Sequence, residues 1–88
     1  MILLNKYQIS EWAYHQCEEG NDTEEIRNLI THQYYAYKYC RHIKDIEEMW
    51  KKITKPDIAY WYWFWVKQRP EIKKYINFAR GFKNEIIR

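Results

Sequence analysis

Residues 58–66 read IAYWYWFWV, and six consecutive aromatic side chains, Tyr60 to Trp65, leave this chain few ways to fold. As a strand, the run alternates and puts Trp61, Trp63 and Trp65 on one face. A lone strand leaves its amides unpaired, and the only other strand-like stretch is MILLNKYQI at the far end of the sequence. As a membrane segment it is too short, because a span needs ~20 apolar residues and Asp57 and Lys67 bracket this one. The run therefore reads as a helix that starts at Pro56, with Thr54 or Lys55 as its cap, and runs to about Gln68 ahead of Pro70. On that helix Ile58, Trp61, Tyr62 and Trp65 share one side, Tyr60 and Phe64 a second, and Trp63 and Val66 a third. A helix apolar all round belongs in the middle of something. Neighbours in a small bundle cover two sides, so the third is wet or occupied by another molecule.

The chain has 88 residues, enough for one small domain, residues 1–88, with a single core. Two Gly and two Pro give it few places to turn, which favours a few long elements over many short strands. The expectation is an all-α fold, a small bundle of four or five helices with an aromatic-rich core.

A first helix fits residues 5–19, with Asn5 as N-cap and Gly20 in the left-handed C-terminal position. Asp22 and Glu25 have the spacing of a capping box at the start of a second. From Ile26 the apolar rhythm runs through Leu29, Gln33, Ala36, Cys40, Ile43, Trp50 and Ile53 with no breaker before Lys55-Pro56. Residues 23–54 are thus either one helix or two, bent near Arg41 to Asp45. Glu71 to Ile87 reads as a last helix, with Ile72, Tyr75, Ile76, Ala79, Phe82 and Ile86 on its apolar face. No internal repeat is expected.

Charge is lopsided. Residues 1–54 carry seven Lys/Arg against nine Asp/Glu, whereas residues 55–88 carry eight against three. The opening MILLNKYQIS has none of the features of a secretory signal, so a cytoplasmic location with two reduced Cys is expected. His15, Cys17, Cys40 and His42 supply the residue types of a zinc site. In a hairpin of the first two helices, however, the two pairs fall ~22 Å apart. No metal and no cofactor are expected.

The stretch RNLITHQY, residues 27–34, places Asn28 after Arg27, His32 five positions on, and Tyr34 two beyond that. It resembles the motif of HEPN-domain ribonucleases, which include the toxins of some bacterial toxin–antitoxin pairs. The resemblance implies metal-independent RNA cleavage, with His32 moving protons, Arg27 stabilising phosphate charge and two sites meeting across a dimer. A nucleic-acid-binding surface is a further alternative, built from Lys67, Arg69, Lys73, Lys74, Arg80, Lys83 and Arg88.

The leading expectation is non-enzymatic: a small protein-binding module, an inhibitor or adaptor of phage or mobile-element type, that occupies a partner's surface. Its contact residues are expected to be Tyr35, Tyr39, Tyr60, Trp63 and Phe64, with Lys73 and Arg80 on a charged rim. The partner is another protein, or a second copy in a homodimer.

Overall fold

The computed structural model describes residues 4–76, and every regular element among them is an α-helix. Three long helices, α1 (Lys6–Glu18), α3 (Gln33–His42) and α5 (Pro56–Trp65), alternate with three single-turn ones. These are α2 (Glu24–Arg27), α4 (Glu47–Trp50) and α6 (Pro70–Lys73). The fold is all-α, as the sequence implies.

Local chemistry explains the boundaries. Asn5 caps α1 by accepting the Gln8 amide at 2.8 Å, while the Gln8 side chain accepts the Asn5 amide at 3.0 Å. Gly20 follows at φ +106°, the left-handed conformation that ends the helix. The aromatic run is helical, starting at Pro56 and ending at Trp65, where the Val66 and Lys67 amides both turn back onto the Tyr62 carbonyl.

Three expectations need correction. The N-cap of α2 is Thr23 rather than Asp22, because Asp22 is engaged elsewhere. The stretch 23–54 is broken not only after His42, close to the expected bend, but also between Arg27 and Gln33. The helix expected over Glu71–Ile87 stops at Lys73, where the Tyr75 and Ile76 amides close tight three-residue turns. Its remainder, from Asn77 on, lies outside the described residues.

The fold also reveals an internal repeat, contrary to expectation. The short helices begin at residues 24, 47 and 70, and α3 and α5 begin at 33 and 56, all in steps of 23. Residues at that step play matching parts. Ala13, Ala36 and Ala59 are each fully buried, one per long helix, which lets the helices approach closely. Ile30, Ile53 and Ile76 are buried after each short helix.

The turns match as well. The Ser10 hydroxyl, buried in α1, accepts the amides of Thr31 and His32 at 3.0 and 2.9 Å. One step on, the Gln33 side-chain carbonyl accepts the amides of Thr54 and Lys55 at 2.7 and 2.8 Å. A side-chain oxygen from α1 and another from α3 thus satisfy the backbone that leads into the next long helix.

A second pairing recurs. Asp22 accepts a hydrogen bond from Tyr39 at 2.5 Å, and Asp45 accepts one from Tyr62 at 2.6 Å. Each carboxylate also holds an arginine at 2.7 Å, Arg27 on Asp22 and Arg69 on Asp45. Burial, reinforced by the Asp hydrogen bond, raises both tyrosines above their usual range. Burial also opposes ionisation of Asp22, but the hydrogen bonds from Tyr39 and Arg27 outweigh it and hold the carboxyl below its usual value.

Packing runs from α1 to α3 to α5, with each short helix against its own long one. The result measures 48 × 28 × 17 Å with a radius of gyration of 14.3 Å. A sphere-like domain of this length has about 12 Å, so the chain is a short stack of repeats extended along one axis.

Asp22→Ala strips Tyr39 and Arg27 of their acceptor and is expected to cost about 2–4 kcal/mol near neutral pH. The folded pKa of Asp22 lies below its unfolded value. Its stabilisation is therefore full above about pH 4 and lost as pH falls through the folded pKa. Urea titrations should show the gap between wild type and variant narrowing on acidification. A gap that stays constant down to strongly acid pH would refute the assignment.

Candidate partner-binding face

The outward surface of the long helices is where the three repeats differ most. On α1 it carries Glu11, His15, Glu18 and Glu19, and at the same step on α3 it carries Tyr34, Lys38, Arg41 and His42. On α5 the corresponding residues are Asp57, Trp61, Phe64 and Trp65. The face passes from acidic to cationic to aromatic along the stack.

Between α3 and α5 it forms a groove of about 390 Å³, lined by Tyr34, Tyr37, Lys38, Arg41, His42, Trp61 and Trp65. Trp61 meets Tyr34 edge-on with ring centroids 6.2 Å apart, and lies 6.2 Å from Tyr37. Arg41 donates to the Tyr37 hydroxyl at 3.0 Å, and its guanidinium sits 4.6 Å over the Trp65 ring. Lys38 lies over the rings of Tyr14, Tyr34 and Tyr35 at 5.2–5.9 Å. Among the described residues no carboxylate forms an ion pair with Lys38, Arg41 or His42. Phe64 is 64% exposed and Trp65 57%, unusual for rings of that size on one turn of helix.

Against this geometry the residues singled out in the sequence divide. Tyr35 and Tyr39 are buried, at 4% and 0% exposure, and form no surface patch. Tyr35 packs back against α1, its hydroxyl 3.0 Å from that of Tyr7 and 3.2 Å from the Glu11 carboxylate. Tyr39 is locked to Asp22. They sit on the side of α3 that faces the preceding repeat, which a single-helix pattern cannot distinguish from solvent. Tyr60 and Trp63 are half-buried and pack against the core, while Phe64 is exposed and stacks on Tyr60 at 5.3 Å. Lys73 is exposed, and Arg80 lies outside the described residues. Trp61, Trp65, Lys38 and Arg41 were missed, since only the stacking of repeats puts α3 and α5 side by side.

The stretch 27–34 is spread over a turn. Arg27 ends α2 and bridges Asp22 and Glu48 at 2.7 and 3.0 Å, Asn28 is the C-cap, and His32 is the N-cap of α3. The His32 ring accepts the Tyr34 amide at 3.3 Å and meets Tyr7 edge-on at 5.1 Å. Tyr34 lines the groove.

Of the basic set, Lys67, Lys73 and Lys74 are exposed. Arg69 is committed to Asp45 and Tyr62 and lies 4.8 Å over Trp50. Lys83 and Arg88 are outside the described residues. Cys17 and Cys40 are both buried in the core, and burial pushes their thiols up to about 11 and 12 respectively. Among the described residues no helix is long and apolar enough to cross a membrane.

No protein-family model, no curated protein and no solved structure matches this chain.

Substitution separates surface from core. Phe64→Ser is expected to shift stability by less than about 1 kcal/mol, whereas Tyr62→Ala should cost about 3–5 kcal/mol. Thermal or chemical denaturation of the two variants checks this. Equal losses would mean that Phe64 is a packing residue.

Proposed function

We propose that this protein is a non-enzymatic α-repeat module that binds another protein through the outward face of α3 and α5. It acts as an adaptor or inhibitor by occupying its partner's surface. The observation that carries this reading is the groove between α3 and α5, where Arg41 stacks on Trp65 beside an exposed Trp61. Trp, Tyr and Arg are the residue types that dominate the energetics of protein interfaces. Stacked repeats characteristically offer a face that crosses several units to a partner. The reading sets the module in the cytoplasm, where its two unpaired thiols stay reduced. A second copy of the chain is the simplest alternative partner.

The test places a photo-crosslinking amino acid at position 64, with position 24 on the distant α2 as control. The expected result is one discrete adduct from position 64, lost on Trp65→Ala combined with Arg41→Ala and absent from position 24. An adduct of twice the chain's mass identifies the homodimer. No discrete adduct, or the same pattern from both positions, overturns the reading.

A further inference from the structure

We infer that the groove between α3 and α5 recognises an acidic protein segment with interspersed apolar side chains. This rests on the protein-binding reading and assigns the chemistry of the partner. The argument comes from comparing one repeat with the next.

The row Lys38, Arg41, His42 has two flanks. On the α1 side Glu18, the residue one step back from Arg41, lies near enough to Lys38 for their charges to interact. There one carboxylate neighbours the row, although it forms no ion pair with it. Glu18, hydrogen-bonded to His15 and influenced by the Lys38 charge, is held below the usual carboxylate range. On the α5 side the positions one step on from Tyr34, Lys38, Arg41 and His42 are Asp57, Trp61, Phe64 and Trp65, and Asp57 does not line the groove, which contains no acidic residue. Lys38 and Arg41 thus have a single carboxylate near them on one flank and, on the other, aromatic rings in a groove with no acidic lining. A segment in the groove that places carboxylates on the row and aliphatic or aromatic side chains on the rings completes the missing half.

Arg41 is prepared for this. Its guanidinium is fixed in plane by the Trp65 ring beneath it and by the Tyr37 hydroxyl at its edge, so little side-chain freedom is lost when a carboxylate binds. A nucleic acid suits the site less well. The rings already spend faces on one another or on Arg41, with Phe64 stacked on Tyr60 and Trp65 under the guanidinium, where single-stranded bases need open faces.

The experiment uses fluorescence anisotropy of a labelled peptide alternating Glu and Leu, with a Lys-Leu peptide and oligouridine as comparisons. The Glu-Leu peptide is expected to bind, weakening as salt rises. Lys38→Ala and Arg41→Ala should each weaken it roughly tenfold, the loss of one charge-assisted contact, with unchanged thermal stability. Equal binding of the Lys-Leu peptide, indifference to both substitutions, or binding of oligouridine in place of the acidic peptide would each overturn the inference. Sedimentation of the full chain covers the remaining occupant. A dimer dispersed by combined Glu11→Gln, Glu18→Gln and Glu19→Gln would assign the groove to a second copy and displace a separate partner. A discrete crosslink from position 64 without acidic-peptide binding would sink the acidic chemistry alone and leave the protein-binding reading standing.

Discussion

The turns that enter α3 and α5 take hydrogen bonds from the long helix before them, and the remainder of the structure depends on that arrangement. The amides of Thr31 and His32 have no partner within their own turn and find one in Ser10, some twenty residues earlier. The amides of Thr54 and Lys55 find theirs in Gln33. Orphaned amides in a part-buried turn cost as much as lost hydrogen bonds, so helix breaks at these points are tolerable only with the previous repeat in place. The contacts of Asp22 with Tyr39 and Asp45 with Tyr62 fix the other end of each long helix in the same way. Together the two links set the spacing and rotation of the repeats. That rotation brings Tyr34, Lys38 and Arg41 alongside Trp61 and Trp65.

The sequence expressed local features well and the repeat poorly. Caps and breakers act within a few residues, and Asn5, Gly20 and Pro56 do what their chemistry dictates. The helical state of the aromatic run followed from the absence of a strand partner. The first break, between Arg27 and Gln33, is invisible locally. It contains neither Gly nor Pro, and its hydrogen-bond acceptor lies in another helix. The apolar rhythm from Ile26 onward continues across it because both the short helices and the long ones bury a face in the same core.

The step of 23 is hidden by substitution at equivalent positions. Ser10 and Gln33 do one job with different side chains. Arg27 and Trp50 share a position, as do Cys40 and Trp63, with little chemistry in common. The positions that keep their identities, such as Ala13, Ala36 and Ala59, Tyr14, Tyr37 and Tyr60, Glu25, Glu48 and Glu71, the isoleucines and the Asp–Tyr pairs, are scattered among the changed ones. The candidate site was half legible for a related reason. Phe64, one of the expected contact residues, is exposed, but Tyr35 and Tyr39 are not, because helical periodicity cannot tell a face turned to solvent from one turned to the neighbouring repeat.

In a stack of repeats the buried side chains form one continuous core, but that core is assembled from contacts between neighbouring units. Its stability is a chain of junctions, and the weakest end opens first while the other repeats hold. The groove straddles one of these junctions, with Lys38 and Arg41 on one repeat and Trp61 and Trp65 on the next. Whatever occupies it binds only while that junction is closed, and so acts as a splint across it. Occupancy and local order at α5 are then two readings of one equilibrium. On the protein-binding reading, capture of a partner would register as a stiffening at one end of the array.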